Sequence, residues 1–279
     1  MKKRTFYGLQ SCIMPALFLI FWQVMAMKTE NPMMLPSVTA VLNILLHPMD
    51  KLIGVGSILY STYISLLRVV CGYACAALLA VPLGIIIGYS KRNERFLLPF
   101  FSLFRAIPPM SWVSLVLAWF GVRSLATVFG VPVDAPIYRV VNNMRLTMLF
   151  IIFLGSFFPI LTNTVYGVQT VKKALLDSAR SMGATTSQLI TKVYLPHALP
   201  TIFTGLQIGL GSAWMTLICA EMLPGSVAGI GYMISHAYQV TRVDVVIAGM
   251  ISIGLVGFLI DQIFQIAGGF LFRWQRRQR

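Results

Sequence analysis

Residues 60–89 read YSTYISLLRVVCGYACAALLAVPLGIIIGY, and this stretch decides the fold class. Its only charged side chain is Arg68. A helix that crosses a lipid bilayer needs about 20 mostly apolar residues, so the stretch predicts a membrane-spanning helix. Similar stretches recur along the chain, and the sequence predicts six spanning helices in all, at 7–27, 60–89, 96–120, 148–167, 200–223 and 245–270.

The overall composition supports the same class. Of the 279 residues, 57% are hydrophobic and 11% are charged, and the mean hydropathy is +0.80. Soluble domains carry about 25% charged residues. We therefore expect an all-α, polytopic membrane helical bundle that forms a single membrane domain over residues 1–279. The net charge of +14 comes from basic residues at the ends of apolar runs, so nucleic acid is not expected as a partner.

The distribution of basic residues predicts the orientation. With the N-terminus inside, 14 Lys and Arg residues fall in segments predicted to be cytoplasmic, and six fall in external segments. The positive-inside rule then places both termini in the cytoplasm. The start MKKR resembles a signal peptide, but the apolar run is long and no clean cleavage site follows, so 7–27 is predicted to be an uncleaved N-terminal anchor helix.

Two long segments on the predicted external side are expected to be ordered. The middle of 28–59 has the pattern of an amphipathic helix lying at the membrane interface. Residues 121–147 contain three arginines and a Pro/Gly turn, which favour an ordered loop. Within the spanning helices, Pro108-Pro109 should break or bend the third helix, and Pro159 should kink the fourth.

One cytoplasmic segment is unusually polar for this chain. Residues 177–196 read DSARSMGATTSQLITKVYLP. Asp177 could cap or begin a helix, and Gly183 should end it about two turns later. A second helix, from about Ser187 to Tyr194, is expected to stop where Pro196 starts the next segment. The alternative interpretation is an ordinary cytoplasmic loop with positive charges.

The spacing in this segment resembles the signature of ATP-binding-cassette (ABC) importer permeases, the EAA motif. That motif has an EAA triplet, three residues, Gly, nine residues, Ile, one residue and Leu-Pro. This chain has Asp177-Ser178-Ala179, then Gly183, then Val193, Tyr194 and Leu195-Pro196 at the same spacing. Further stretches over roughly 35–272, including LPSVTAVLNILL and GLGSAWMTLICAEML, look like the nitrate/sulfonate/taurine branch of these permeases. Residues 121–146 are longer than the corresponding connection in the family.

The resemblance implies a type I ABC importer permease fold with a permease core at 60–270 and a cytoplasmic coupling loop at 172–197. It implies a non-catalytic transport subunit of the bacterial inner membrane, without a cofactor. The expected partners are separate ATPase subunits, an extracytoplasmic solute-binding protein, membrane lipid and a second, identical permease chain. The implied solute is a small oxyanion such as nitrate, taurine or another sulfonate. The residues that would contact the ATPase are Asp177, Ser178, Ala179, Arg180, Gly183, Ala184, Thr185, Leu195 and Pro196.

A few charged residues in the apolar segments are candidates for the translocation path, because a charge in a membrane usually faces the bundle interior or water. Glu221 could serve as a gate or path residue, or could pair with Arg242. Arg68 could meet an anionic solute, or could be a paired or snorkelling arginine. Asp261 is expected to bond to another helix, and His197 to lie in a loop.

Two other functional classes remain open at this stage. An ion-gradient-driven secondary transporter would need ionisable residues within the membrane and repeated halves, and Asp261 gives it little support. A membrane-embedded enzyme would need a catalytic group in the bilayer plane, and no such pair of Asp or His is visible. The chain has no G-x-x-x-x-G-K-[ST] loop, so ATP energy would have to come from a partner.

Overall fold

The structure is a computed structural model that describes residues 2–222 and 226–272, with the side chains of 2–12 excepted. These residues form helices and no β-strand, with isolated bridges at Leu52–Gly56 and Ser124–Arg145. The α-helices are α1 (Lys2–Thr29), α2 (Val38–Leu46), α3 (Ile58–Tyr89), α4 (Lys91–Arg105), α5 (Val113–Phe120), α6 (Leu125–Val128), α7 (Tyr138–Asn142), α8 (Leu146–Gln169), α9 (Lys173–Ser181), α10 (Thr186–Leu189), α11 (Leu195–Glu221), α12 (Ile230–Gln239) and α13 (Val243–Leu271). A 3₁₀ turn (Pro109–Trp112) precedes α5, and a π turn (Ile190–Tyr194) joins α10 to α11.

Among the described residues, four helices are long and apolar enough to cross a membrane: α3, α8, the continuous helix Thr186–Glu221 and α13. A fifth span is possible if α4 and Pro109–Phe120, which meet at an angle of 82°, count as one broken span. The predicted anchor at 7–27 lies within α1. The expected total of six spanning helices and the orientation of the termini stay predictions.

The third predicted span, at 96–120, is not one continuous helix. Pro108 has the extended backbone angles φ −55° and ψ 136°, as expected for a residue that precedes a proline. The break at Pro108-Pro109 is therefore confirmed. α8 runs from Leu146 to Gln169 with Pro159 inside it, and the kink expected at Pro159 stays a prediction.

The connecting segments are ordered, as expected. α2 occupies the middle of 28–59, and Ser37 Oγ caps it by accepting a hydrogen bond from the Ala40 N–H at 3.3 Å. In the 121–147 segment, Leu125 N–H donates to the Met144 carbonyl at 2.9 Å, and Leu146 N–H donates to the Arg123 carbonyl at 3.1 Å. These bonds join the two ends of the segment directly before α8.

The described residues divide into two compact units. One comprises 2–63 with 226–255, where Trp22 Nε1 donates to the Pro36 carbonyl at 3.1 Å and holds α1 to the segment before α2. The other comprises 64–222 with 256–272 and contains all the candidate site residues. The single membrane domain over 1–279 stays a prediction.

In the second unit, α8 is the central helix, and small residues let its neighbours approach closely. A Cβ added to Gly84 in α3 would lie 2.6 Å from the Thr164 Cβ, and one added to Gly205 in α11 would lie 2.6 Å from the Asn163 Cβ. Both distances are too short for a real side chain, so only glycine fits at these crossings. α8 is consequently packed between α3 and α11, which positions both helices that carry the candidate residues.

Candidate functional site

We define the coupling segment as residues 172–197, and its first helix is α9. Lys172 is the residue before the helix, and α9 begins at Lys173. The expectation that Asp177 caps or begins this helix is therefore wrong, because the helix starts one turn earlier. Asp177 instead lies within α9 and pairs with Arg180 at 3.8 Å, with both side chains more than half exposed. A pair this exposed contributes little to stability.

Gly183 ends α9, as expected from the sequence. Its φ is +79°, which is a left-handed conformation that favours glycine. Its N–H donates to the Arg180 carbonyl at 2.9 Å, and the Ala184 N–H donates to the Ala179 carbonyl at 3.0 Å. These two bonds form a Schellman motif, which satisfies carbonyls at the helix end. A Cβ at Gly183 would meet nothing within 4 Å, so the backbone angle rather than space requires glycine here.

α10 follows after a short turn and starts with a capping box. The Thr185 N–H donates to Gln188 Oε1 at 2.8 Å, and the Gln188 N–H donates to Thr185 Oγ1 at 3.4 Å. This reciprocal pair satisfies two backbone donors that have no partner within the helix. The start of α10 is thus fixed by the side chains of the segment itself.

Pro196 does not start a new segment, and His197 does not lie in a loop. The helix runs continuously from Thr186 to Glu221, because a π turn at Ile190–Tyr194 precedes the proline. There the Leu195 N–H donates to the Ile190 carbonyl, five residues back. A proline lacks an N–H and its ring crowds the preceding turn, and a wider π turn can accommodate it within a helix. The helix end that the sequence predicts before Pro196 is therefore wrong, because this turn lets the helix continue through the proline.

The coupling segment has one packed side and one exposed side. On the packed side, Leu189 and Tyr194 are buried with Val168 at the end of α8, and Tyr194 meets Tyr89 edge-on with ring centroids 5.3 Å apart. Of the expected ATPase-contacting residues, three also pack against this cluster: Ala179, Ala184 and Leu195. The other six are exposed: Asp177, Ser178, Arg180, Gly183, Thr185 and Pro196.

Arg68 and Glu221 form an ion pair inside the second unit. Arg68 Nη1 lies 2.5 Å from Glu221 Oε1, and both side chains are fully buried. Ser65 Oγ donates to the same carboxylate at 2.8 and 2.9 Å, and Arg68 Nε donates to the Asn143 carbonyl at 2.9 Å. The pair thereby joins α3, α11 and the residue after α7.

This geometry corrects the alternative pairing of Glu221. Arg242 instead pairs with Asp244, at 2.8 Å. Arg68 does not snorkel, because it is fully buried. Arg145, just before α8, lies close to Arg68. Burial, together with the positive charge of Arg68, lowers the pKa of Arg145. Glu221 therefore supplies a negative charge where two arginines lie near each other.

Asp261 bonds to another helix, as expected. Its carboxylate accepts hydrogen bonds from Gln207 Nε2 of α11 at 2.6 Å and from Gln265 Nε2 at 2.7 Å. Both carboxylate oxygens are thus engaged by neutral amide donors. This arrangement is typical of a polar contact that holds two helices together.

Sequence comparison adds a direct finding to this geometry. Residues 80–276 match the model of the family described as binding-protein-dependent transport system inner membrane component. The chain belongs to this family. Binding-protein-dependent permeases are non-catalytic membrane subunits of ABC importers, so the chain is a multi-pass transport component of the inner membrane. Membership implies ATPase and solute-binding protein partners, and it favours neither the secondary transporter nor the membrane enzyme.

Individual relatives cover nearly the whole chain. A protein of Methanocaldococcus jannaschii, named as an ABC transporter permease, is 40% identical over 95% of this chain and 92% of its own. An aliphatic sulfonate transport permease of Bacillus subtilis is 32% identical over 98% of this chain and 90% of its own. A bicarbonate transport permease of Synechococcus elongatus is 32% identical over 88% of this chain and 82% of its own. Other relatives are named for nitrate import and taurine transport. The permease belongs to this branch of the family.

Two features of the site were not expected from the sequence. Ser65 and the Asn143 carbonyl also bond to the buried pair, but no spacing or motif links them to Glu221. A cavity lined by Lys91, Arg92, Arg95 and Phe96 also exists at the start of α4. The density of positive charge in the run KRNERF is the sequence signal that could indicate this cavity.

Proposed function

We propose that this permease forms the solute path of an ABC importer and that its coupling segment receives the motion of a separate ATPase on the cytoplasmic side. The observation that carries the proposal is the continuous helix from Thr186 to Glu221. It is 36 residues long, which corresponds to about 54 Å at 1.5 Å per residue. One end belongs to the coupling segment, and the other end carries the carboxylate of the buried ion pair.

The exposed side of the coupling segment supplies a surface for the ATPase. Met182 is 87% exposed at the bend between α9 and α10, and Leu175 is 49% exposed on α9. Polar and charged side chains surround them, including Asp177 and Arg180. Two exposed apolar side chains with a polar surround are typical of the centre of a protein interface.

The packed side of the segment supplies the mechanical connection. Leu189 and Tyr194 are buried against the end of α8, so a force on the bend acts on a packed body and not on a loose loop. Packed helices move as rigid bodies between discrete arrangements. Closing of an ATPase dimer would then tilt the helix Thr186–Glu221 and exchange an inward opening for an outward one.

The ion pair is proposed to act at the far end of this movement. Arg68 and Glu221 neutralise each other, so in this arrangement the pair is not an open anion site. We therefore propose it as a component of the gate. Tilting the helix that ends at Glu221 would change the distance to Arg68 on α3. A buried pair has a narrow range of good geometry, so it favours a defined state of the gate.

A small oxyanion is the proposed solute. The support is the set of functions for which the relatives are named, which includes sulfonate, bicarbonate, nitrate and taurine transport. The assembly is proposed to contain two copies of this chain, two ATPase subunits and one extracytoplasmic solute-binding protein. In each copy, 7–27 would serve as the anchor, 60–270 as the permease core and 172–197 as the coupling loop, within one membrane domain.

Uptake measured in proteoliposomes tests the proposal. The permease is reconstituted with its ATPase and solute-binding protein, and uptake of labelled sulfonate, nitrate, taurine and bicarbonate is followed. We expect uptake of one of these anions to stop when the catalytic Glu of the ATPase is replaced by Gln, and to continue in the presence of a protonophore. Uptake that needs an ion gradient but no ATP would establish a secondary transporter and overturn the proposal.

A further inference from the structure

The first turn of α4 lines an open cavity of about 410 Å³. Its walls are formed by Lys91, Arg92, Arg95 and Phe96. None of the three basic residues takes part in an ion pair among the side chains that the structure describes. Glu94 is the one acidic residue in this turn and is partly buried, so three positive charges face one negative charge.

An exposed apolar stripe begins at the same cavity. Phe96 is 83% exposed, Phe100 is 53% exposed and Leu103 is 71% exposed. Their spacing of four and then three residues places them along one face of α4. The opposite face is packed, because Leu97, Leu98, Phe101 and Phe104 contact the core cluster of α3 and α8. α4 is therefore held to the protein by one face and is free on the other.

The cavity lies where an apolar helix meets a polar boundary. α3 ends at Tyr89 after a long apolar run, and the charged turn of α4 begins at Lys91. A positive cluster at such a boundary meets the headgroup region of a bilayer, and the apolar stripe that follows meets the acyl chains. The basic cluster and the apolar stripe therefore follow each other along α4 in the same order as the headgroup and the acyl chains of a phospholipid.

We propose that this cavity binds the phosphate-bearing headgroup of an anionic phospholipid, with an acyl chain lying along Phe96, Phe100 and Leu103. Lys and Arg form charge-assisted hydrogen bonds with phosphate oxygens. A free phosphate ion would contact the basic side chains of the cavity but would make no contact with the apolar stripe. The docked ATPase, as a soluble protein, would leave the stripe uncovered, so both chemistries together favour a lipid.

The experiment measures lipids retained by the full-length permease. The chain is purified without its ATPase from detergent that contains equal amounts of phosphatidylglycerol and phosphatidylcholine, and bound lipids are counted by mass spectrometry. The test variant is K91Q/R92Q/R95Q. The matched control is K172Q/K173Q/K192Q, which removes the same charge from exposed residues elsewhere. All of these side chains are exposed, so both variants are expected to elute as the wild type does in size-exclusion chromatography.

We expect the wild type and the control to retain phosphatidylglycerol over phosphatidylcholine by about a hundredfold, because each of the three basic residues near an anionic lipid contributes a factor of about five in affinity. The test variant should retain both lipids equally. No preference in the wild type, an unchanged preference in the test variant, or an equal loss in the control would each overturn the proposal.

Two further arms identify the source of the phosphate group. Excess inorganic phosphate at constant ionic strength should leave most of the phosphatidylglycerol bound, whereas complete displacement would indicate a site for the free ion and contradict the lipid proposal. F96S/F100S should reduce retention of both lipids, and full retention would show that the stripe is not part of the site. Because no ATPase is present, these results are independent of those for the proposed function.

Discussion

Arg68 in α3 and Glu221 at the end of α11 form a fully buried ion pair, with 2.5 Å between Nη1 and Oε1. Glu221 is the last residue of a helix whose first turn, at Thr186, belongs to the coupling segment. A charge pair inside the bundle is therefore connected through one continuous helix to an exposed bend at Met182. This connection relates the proposed gate to the surface where we propose that the ATPase binds.

Removing either partner of this pair should destabilise the protein. We expect Arg68→Met or Glu221→Leu alone to cost about 3–5 kcal/mol, because the remaining charge stays buried without compensation. The double variant should be more stable than either single variant. The midpoint of thermal unfolding in detergent gives the order of stability of the wild type, the single variants and the double variant. Asp177→Asn, which removes a partner of the exposed Arg180 pair, serves as the control and should change stability by less than about 0.5 kcal/mol. Strictly additive losses in the double variant would show that the two side chains do not interact.

Substitutions at Gly183 should differ in effect according to whether the new residue tolerates a positive φ and according to its size. Asn tolerates a positive φ, so Gly183→Asn should keep the bend and most of the uptake. Gly183→Trp should insert into the membrane normally and yet lose uptake and stimulation of the ATPase, because a large side chain would block docking at the bend. Uptake and ATPase rate in proteoliposomes are the readouts. Normal uptake by the Trp variant would count against contact between the ATPase and this bend.

The capping box makes a smaller contribution that can be isolated. Thr185→Ala removes the side chain that accepts from the Gln188 N–H and should cost about 1 kcal/mol of local helix stability. Hydrogen exchange at the amides of α10 should rise, and uptake should fall in part. Ser187→Ala changes an exposed residue of the same turn and should alter neither. Equal exchange in the two variants would mean that the cap does not hold the start of α10.

Pro196 offers a test of the π turn. Pro196→Ala restores an N–H and removes the ring, so the helix should relax to an ordinary α-helix. Loss of the one extra residue per turn would rotate α10 by about 100° relative to α11. We expect the variant to fold and to transport poorly, whereas Pro200→Ala, at a proline in the same helix that lies outside the π turn, should transport normally. Similar uptake by both variants would exclude a role of the π turn in orienting the coupling segment.

Local features of the fold could be predicted from the sequence because their causes lie within a few residues. The break at Pro108-Pro109 and the end of α9 at Gly183 both follow from backbone chemistry. Gly84-x-x-x-Gly88 is a spacing typical of close helix packing, and a Cβ at Gly84 or Gly88 would lie 2.6 Å from the Thr164 Cβ or 2.8 Å from the Val168 Cβ of α8. The bond from Asp261 to another helix could be predicted as well, because a charge within the membrane needs a partner.

Other features could not be predicted, because they depend on tertiary context. Arg68 and Glu221 are 153 residues apart, and no spacing connects them. The nearer Arg242 was a reasonable partner for Glu221 in sequence, but it bonds to Asp244. The helix through Pro196 could not be predicted, because a proline usually marks a boundary and the preceding π turn accommodates it inside a helix. The family signature was recognisable throughout, since it depends on spacing and not on these details.

A photo-crosslinking amino acid at Met182 tests the central claim most directly. This side chain is 87% exposed at the bend of the coupling segment, whereas Val133, in the 121–147 segment, is 72% exposed and serves as the control. The permease with either substitution is reconstituted with the purified ATPase and illuminated. We predict a covalent adduct with the ATPase from position 182 and none from position 133. Adducts from position 133 alone, or no adduct from position 182 in a complex that still transports, would contradict the account.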